Sequence, residues 1–453
     1  MPSDFSSSRN GFRELEKSDG KLPAWVYGYA AGSPGEFTFS GQPEFVTRID
    51  VAIRGYSSAQ FLKSSYNVEL LNNQGKSAAR PLFDSRVFDE WALVGPWFYD
   101  PAFIRNSFVY ALSNRIGRWA PRAQLVEVFV NAYGGGLDTT TYNGVYLLTD
   151  KVRIEKGRVE LVPMPSGATS AAEITGGYLL KIDFPDPDEF SWTTNLLRAS
   201  GTESTVVVAS PKADKLSPEQ RNYIRGYMQS MEDALISDQA AAWSRRTYLD
   251  FIDRSSWVDH HILNTFVANP DALERSAFFT KARGGKLVAG PVWDFDRALG
   301  SIVDERGVDP ERWHDADAVR VWDFAWWGIL ARDPEFMQGW IDRWQSLRRT
   351  QFADASLIAL VDDLAGAVGS EAAARDAARW PDNVSSAGGG SHADEIEYIK
   401  NWLERRARWI DAQFVAPPEV VREGATITLV PVEGAQIAYT LDGSDPRSLG
   451  GEV

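Results

Sequence analysis

The chain has 453 residues, 44% of them hydrophobic and 24% charged, and its formal net charge at pH 7 is −15. This length and composition predict a large globular protein of two or three domains. Because the chain contains no cysteine, disulfides, cysteine-based zinc sites and thiol nucleophiles are excluded. The acidic excess, 62 Asp and Glu against 47 Lys and Arg, argues against binding to the phosphate backbone of a nucleic acid.

The first part of the chain has the pattern of β-structure. Alternating apolar and polar residues predict strands in EFTFSG, FVTRIDVAIRG and KSSYNVELL, between residues 36 and 71. A helix is expected over residues 101–117, with Asp100 as its N-cap and Gly117 as its end. Further strands are predicted in LVEVFVNAY, NGVYLLTDKV, RVELVPM and GGYLLKIDF.

From about residue 217 the apolar period becomes helical, first in SPEQRNYIRGYMQSMEDALIS and then in RRTYLDFIDRSSWVDHHILNTFVANP. One hairpin interrupts the helices, with the strands SAFFTK and LVAGPVW on either side of a glycine-containing turn. Short strands return after the break VAPPEV. We therefore expect an α+β protein in four parts. These are an N-terminal extension (1–35), a β-rich lobe (36–215), an α-helical lobe with the hairpin (216–415) and a partial β-sandwich module (416–453).

Carboxylates are expected to meet at the ends of this hairpin. Pro270 ends a long helix, so that Asp271 lies in the loop leaving it, and Asp294 follows the second strand. Together with Asp296, these residues offer oxygen ligands suited to Mg²⁺ or Mn²⁺, and one carboxylate remains to position a nucleophile. The alternative is structural: Asp is common in turns, so that Asp271 can cap a turn, and Asp296 can pair with Arg297 or with another arginine.

A second candidate site is the turn RGYSS at residues 54–58, which contains Arg54 and Ser57 and precedes Lys63. Small side chains and free backbone N–H groups can lie over phosphates, and a lysine entering the next strand can neutralise them. The segment has neither a Walker A motif nor a GxGxxG motif. An ordinary hairpin turn followed by a solvated lysine is the alternative.

These parts follow the order of the parts of a protein kinase. The sequence also resembles the CotH-type atypical kinases of bacterial spore coats and related secreted proteins. The similar blocks span roughly residues 45–350 and are RGYSSAQFLKSSYNVEL, IRNSFVYAL, VEVFVN with NGVYLLTDK, GGYLLKID and NPDALERSAFFTKARGGKLVAGPVWDFDRALGS. The closing LVPVEGAQIAYTLDGSDP resembles the small β-module found at the C-terminus of chitobiases.

The resemblance implies a two-lobed kinase-like fold that uses ATP and a divalent metal ion, Mg²⁺ or Mn²⁺. It makes Asp271 the catalytic aspartate and Asp294 the metal-binding aspartate, with Asp296 as a second ligand or a structural partner. Ser276 stands where a kinase has a metal-binding Asn, and a hydroxyl is a poorer metal ligand than an amide oxygen. The nucleotide-binding residues implied by the resemblance are Lys63, with Lys181 as its rival, Arg54, Ser57, Thr149 and Asp150.

Other chemistries have less support in the sequence. The four histidines are His260, His261, His314 and His392. They form no HExxH motif, and the adjacent pair projects about 100° apart on a helix. The GxSxG motif of an α/β-hydrolase is also absent.

A carbohydrate-active site is disfavoured for two reasons. Asp294 and Asp296 are alternate residues, and on a strand such residues point to opposite faces, which separates the two carboxylates that a glycosidase needs. Trp322, Trp326 and Trp327 could stack on sugars, but their spacing suits a buried helix face better.

The expected function is transfer of the γ-phosphoryl group of ATP to a Ser or Thr hydroxyl of a protein. The alternative is a catalytically inactive kinase-like protein that serves as a binding or structural component of the cell envelope or extracellular space, with glycan contact through the C-terminal module as an option. Neither an export signal nor a membrane span is visible. The resemblance nevertheless implies an extracellular or cell-envelope location.

Overall fold

The computed structural model describes residues 20–30, 32, 41–55, 58–83, 86–97, 99–131, 134–303, 305–313, 320–381 and 390–447. The strands are β1 (Leu22–Gly28), β2 (Phe45–Arg54), β3 (Ser65–Leu71), β4 (Arg80–Pro81), β5 (Val87–Phe88), β6 (Glu90–Val94), β7 (Ala123–Phe129), β8 (Tyr142–Asp150), β9 (Tyr178–Asp183), β10 (Phe190–Trp192), β11 (Thr205–Ser210), β12 (Ala277–Lys281), β13 (Leu287–Ala289), β14 (Glu419–Glu423) and β15 (Thr426–Val430). The α-helices are α1 (Arg105–Arg115), α2 (Asn195–Ala199), α3 (Pro218–Ala240), α4 (Arg254–Phe266), α5 (Ala325–Leu330), α6 (Pro334–Arg348), α7 (Asp354–Val368), α8 (Ser370–Arg379) and α9 (His392–Asp411). This mixed content agrees with the predicted α+β class.

The first sheet contains six antiparallel strands in the order β1-β2-β3-β6-β8-β7. Its strands form where apolar and polar residues alternate, so that Ile49, Val51 and Ile53 of β2 are buried while the residues between them are partly exposed. These side chains join Trp91 and Tyr146 in a hydrophobic core that belongs to this sheet. The predicted strand EFTFSG lies largely outside the described residues.

The second sheet has five strands in the order β10-β11-β9-β12-β13. It includes the predicted hairpin, in which β12 pairs with β13 and Phe279 lies opposite Ala289. The other neighbour of β12 is β9, with Ala277 opposite Ile182. Residues 178–210 therefore share a sheet with the hairpin, whereas the sequence grouped them with the preceding strands. Pairing between strands that are distant along the chain leaves no local signal, which explains this difference.

The helices begin at recognisable capping residues. The hydroxyl of Ser217 accepts a hydrogen bond from the Gln220 backbone N–H at 3.2 Å, and the Gln220 side chain accepts one from the Ser217 N–H at 2.8 Å, which completes a capping box for α3. Asp253 caps α4 by accepting the Ser256 N–H at 2.8 Å. Helix α4 is buried from Ser256 to its end and contacts α6, α9 and β13, so that it forms the centre of the main core.

Tryptophans fill much of that core. Those that are buried in it are Trp243, Trp257, Trp326, Trp327, Trp340, Trp344 and Trp402. Trp326 and Trp327 pack on Trp257 with ring centroids 5.9 and 4.7 Å apart, and the half-buried Trp322 lies 4.5 Å from His261. The interpretation of Trp322, Trp326 and Trp327 as packing residues is confirmed.

Two local predictions are wrong. Helix α1 begins at Arg105, with Ile104 as its N-cap residue, and Asp100 instead accepts the Arg105 N–H from outside the helix at 3.1 Å. The segment RVELVPM forms no strand and contains only an isolated bridge at Val159. Its Pro163 has no N–H to donate to a neighbouring strand, which works against pairing.

The C-terminal residues form a single antiparallel hairpin, β14 with β15, up to the end of the described part of the chain at residue 447. In the chain that follows this hairpin, Arg447 pairs with Asp342 of α6 at 2.7 Å. In the chain that precedes it, the Val415 carbonyl accepts a hydrogen bond from the Gln345 side chain of α6 at 2.8 Å. Among the described residues, no helix combines the length and apolar character needed to cross a bilayer.

Candidate active site

The hairpin brings the predicted acidic residues to one place. The chain leaves α4 through Asn269, whose side-chain oxygen accepts the Asp271 N–H at 3.2 Å and so fixes the start of the loop. Directly before the first residue of β12, the Ser276 hydroxyl donates to Asp294 at 3.3 Å. Asp271 and Asp294 also influence each other electrostatically. The expected meeting of Asp271, Asp294 and Ser276 is therefore present in the structure.

Asp294 has an unusual backbone. Its φ angle is 68°, in the left-handed region that costs a residue with a side chain free energy unless its surroundings hold it there. Its side chain is exposed to solvent, although neighbouring carboxylates and an arginine surround it. Strained residues that are open to solvent and lie among charged groups cluster at functional sites.

Neighbouring carboxylates raise the pKa of Asp294 and that of Asp296. Although Asp294 keeps solvent-exposed surface, the protein atoms packed around its carboxylate remove part of its hydration and so raise its pKa. The negative charge of Asp271 raises this pKa further, and Arg54 opposes both effects. The pKa of Asp296 lies well above its ordinary value, first because of burial and then because of Asp294 and Asp271. Such mutual repulsion is the electrostatic condition that a cation relieves.

Asp183 is a member of this acidic group that the sequence analysis did not assign to the site. It ends β9, next to the pairing of Ile182 with Ala277, and its charge raises the pKa of Asp294. Burial raises its own pKa, which Lys181 opposes. The only sequence signal was its place at the end of a predicted strand, which becomes informative once the pairing of β9 with β12 is known.

Asp271 is engaged by two arginines. Arg297 approaches its carboxylate to 3.3 Å and Arg306 to 3.4 Å, and Arg306 also donates to the Pro270 carbonyl at 3.0 Å. The side chains of Asp271 and both arginines are about 30% exposed. The arginine next to Asp296 thus forms an ion pair with Asp271, while its charge also acts on Asp296 by lowering the pKa of that carboxyl.

Arg54 reaches this site from the first sheet. Its guanidinium lies 4.8 Å from the ring centroid of Trp293. Burial lowers its pKa, whereas the charge of Asp294 raises it. The structure therefore brings Arg54 close to Asp294. Ser57, which follows it in the same turn, lies outside the described residues.

Lys63 does not join them. Its ammonium pairs with Asp376 of α8 at 2.5 Å, and both side chains are completely buried. Phe103 and Tyr146 cover the ammonium, with ring centroids at 5.1 and 5.4 Å. A phosphate has no access to this ammonium group in the structure. The expectation that Lys63 contacts the phosphates is therefore corrected. Its partner lies 313 residues away along the chain, and no local pattern reveals it.

Three further nucleotide-binding candidates also have structural partners. The Thr149 hydroxyl donates to the Arg122 carbonyl at 3.0 Å, and Asp150 pairs with Arg86 at 2.8 Å. Both Thr149 and Asp150 are completely buried, so that their side chains do not face a cleft. Lys181 pairs with Glu189 at 3.2 Å. Their side chains stabilise the two sheets in this structure.

The described histidines do not form a metal site. Burial lowers the pKa of His260 to about 3 and that of His261 to about 4. The ring of His261 contacts the Val321 carbonyl at 2.6 Å and accepts from the Trp340 indole at 3.0 Å, while His392 stacks on Phe103. His314 lies outside the described residues. Across the described ranges, no three acidic or histidine side chains converge closely enough to enclose a metal ion by themselves.

Comparison with known proteins assigns the chain to a family. The model of the family described as CotH kinase protein matches residues 51–410, a range that contains the hairpin and all of the acidic residues at its ends. No curated protein matches the chain. The residues after 410 fall outside the family match, so that the likeness of the C-terminal hairpin to a chitobiase module stays a prediction. Since the match covers well over half of its length, the chain belongs to the CotH kinase family of kinase-like proteins.

Proposed function

We propose that this chain is an atypical protein kinase that transfers the γ-phosphoryl group of ATP to a Ser or Thr hydroxyl of a protein. The proposal rests on the positions of two carboxylates. Asp271 precedes the hairpin along the chain and Asp294 follows it, and Asp271 is close enough to raise the pKa of Asp294. In kinases, an aspartate before a hairpin positions the acceptor hydroxyl and an aspartate after it holds metal.

The donor atoms around Asp294 fit Mg²⁺ or Mn²⁺. Asp294 and Asp296 supply carboxylate oxygens, and Ser276 supplies a hydroxyl. In phosphoryl-transfer sites, Mg²⁺ is held by one or two carboxylates together with phosphate oxygens, and not by a complete cage of protein ligands. When bound, the ion would neutralise the charge that develops on the phosphates. Asp294 and Asp296 are the residues proposed to hold it.

The remaining charged residues have roles that follow from their positions. Arg54 lies at the entrance to the 54–58 turn and faces Asp294, so that it is the cation proposed to meet the phosphates, in place of Lys63. Asp271 is proposed to accept a hydrogen bond from the acceptor hydroxyl. Its ion pairs with Arg297 and Arg306 are partly exposed and therefore weak enough to exchange for substrate contacts.

A non-catalytic kinase-like protein of the cell envelope or extracellular space is the second candidate. Two observations favour it: Lys63 is sealed in a buried ion pair, and Ser276 replaces the metal-binding amide of a kinase. Such a protein would use the same fold for binding alone.

The test is a thermal-shift titration with ATP and Mn²⁺, followed by phosphoryl transfer from radiolabelled ATP to casein. A ligand present at a hundred times its Kd adds about 2.7 kcal/mol of stability. Asp294→Asn should abolish this response. The matched control is Asp363→Asn, which changes an exposed aspartate of α7 and should respond like the wild type.

The outcomes separate the two candidates. Stabilisation and transfer that both depend on Asp294 support the kinase. Stabilisation without transfer favours a nucleotide-binding protein without activity. The absence of any response to ATP and Mn²⁺ in the wild type contradicts the proposed function.

A further inference from the structure

We infer that helix α1 is a clamp that positions the metal-binding aspartate, with Asn106 as the main positioning residue. The acidic loop is defined here as residues 293–298, which contain Asp294 and Asp296. Three side chains of α1 bind three backbone atoms of this loop. The inference rests on the proposed function for its meaning, but the clamp itself can be measured independently.

The contacts follow one another along both segments. The Asn106 side-chain oxygen accepts the Phe295 N–H at 2.7 Å, and the Tyr110 hydroxyl accepts the Asp294 N–H at 3.4 Å. One residue before Asn106 on the helix, the Arg105 guanidinium donates to the Ala298 carbonyl at 2.8 Å. The helix face formed by these residues therefore binds the acidic loop at its beginning, middle and end.

Ring stacking adds to the hydrogen bonds. Tyr110 stacks on Trp293, the first residue of the acidic loop, with ring centroids 5.9 Å apart and planes inclined by 17°. The other neighbour of Trp293 is Arg54, the proposed phosphate-binding cation. Trp293 thus connects the clamp to the residue that reaches the site from the first sheet.

The helix is itself held firmly where it binds the loop. Arg105 is completely buried and pairs with Asp100 at 3.1 Å and with Glu395 of α9 at 2.6 Å. Asn106 and Tyr110 are also buried, with exposed fractions of 5% and 3%. Because these groups are buried and have hydrogen-bond partners, α1 offers the acidic loop one fixed donor, Arg105, and two fixed acceptors, Asn106 and Tyr110.

A clamp is needed because of the conformation of Asp294. A residue with a side chain leaves the left-handed region unless neighbouring contacts determine its backbone. The amide of Asp294 and the amide that follows it are the two groups that Tyr110 and Asn106 bind. Removing the acceptor on Asn106 should let the peptide rotate, which would turn the Asp294 carboxylate away from the metal position. Asn106 would act through the backbone and would not touch metal or substrate.

The experiment compares Asn106→Leu, which has nearly the same shape but no acceptor, with Asn106→Asp, which keeps an acceptor oxygen. The control is Asn114→Leu on the same helix, because Asn114 binds the carbonyls of Tyr110 and Ala120 and the Ala120 N–H but makes no contact with the acidic loop. The first readout is the Kd of Mn²⁺ in the presence of saturating ATP. The second is hydrogen exchange of a peptide that covers the acidic loop, measured without metal or nucleotide.

We expect Asn106→Leu to weaken Mn²⁺ binding by about 10- to 100-fold, the usual effect of removing a group that orients a ligand, and to speed hydrogen exchange in the acidic loop. Asn106→Asp should restore slow exchange, and Asn114→Leu should change neither readout. Unchanged exchange in Asn106→Leu overturns the inference, as does an equal loss of Mn²⁺ affinity in Asn106→Leu and Asn114→Leu. A wild type that binds no Mn²⁺ contradicts the proposed function, while the exchange experiment still decides whether the clamp exists.

Discussion

Replacing Lys63 with Met tests whether the buried ion pair stabilises the fold. Met keeps most of the aliphatic volume that packs on Phe103 and Tyr146, but it leaves the Asp376 carboxylate without its cation. That carboxylate is completely buried and also accepts the Val145 N–H at 2.6 Å. Burial raises the pKa of Asp376, and in the native protein Lys63 opposes this effect. The variant loses the opposing charge.

The free energy of protonating Asp376 sets the size of the effect. Its ordinary pKa is about 3.9, so that neutralising it at pH 7 costs at most about 4 kcal/mol, at about 1.4 kcal/mol for each pH unit. This agrees with the about 3–5 kcal/mol typical of breaking a buried ion pair. In the variant the folded-state pKa of Asp376 lies above the unfolded value, so that the folded chain binds a proton that the unfolded chain lacks. The loss of stability should therefore shrink as the pH falls, to about 1.5 kcal/mol at pH 5.

Urea unfolding followed by tryptophan fluorescence, at pH 7 and pH 5 and always relative to the wild type, measures both values. The double variant Lys63→Met/Asp376→Asn is the control, because the amide oxygen can still accept the Val145 N–H while neither charge remains. It should recover most of the lost stability. A destabilisation below about 1 kcal/mol at pH 7, or one that does not depend on pH, would refute the reasoning from the buried pair.

The same double variant decides which cation meets the nucleotide. If Lys63 has only a structural role, the double variant should keep the wild-type response to ATP and Mn²⁺, whereas Arg54→Gln should weaken it. A greater loss of ATP affinity in the double variant than in Arg54→Gln would return the phosphate contact to Lys63.

Three further results are expected. Asp271→Ala should reduce phosphoryl transfer by about 10²-fold or more while keeping ATP-induced stabilisation; loss of both would place Asp271 among the metal ligands. Burial lowers the pKa of His260 to about 3 and that of His261 to about 4. Below about pH 6.5 both histidines are therefore protonated in the unfolded chain but remain neutral in the folded chain. Unfolding free energy should then fall by up to about 1.4 kcal/mol per histidine and pH unit below that value, and a urea midpoint equal at pH 7.5 and 5.5 would contradict this. A chain ending at Phe414 should keep its melting temperature and its ATP response, since the contacts of Val415 and Arg447 with α6 are partly or fully exposed; loss of either would show that the C-terminal residues support the rest of the fold.

Local sequence signals were sufficient where the deciding interactions are close along the chain. Pro270 ends a helix, two apolar runs flank a glycine-containing turn, and a hairpin returns the chain to its start. From these features alone Asp271 and Asp294 could be predicted to lie close together, and in the structure they do. The same holds for α3, whose capping box lies within four residues, and for the helical spacing that marked the tryptophans as core.

Tertiary structure decided what depends on distant partners. Lys63 precedes a strand as a phosphate-binding lysine would, yet it is buried because Asp376, on a helix much later in the chain, provides its counter-charge. Asp183 joins the acidic site only through the pairing of β9 with β12. The backbone of Asp294 is determined by Asn106 and Tyr110, which lie on a helix almost two hundred residues earlier. Periodicity and turn residues report the local chain, whereas the pairing of a buried charge and the position of a strained carboxylate depend on which segments become neighbours in the folded protein.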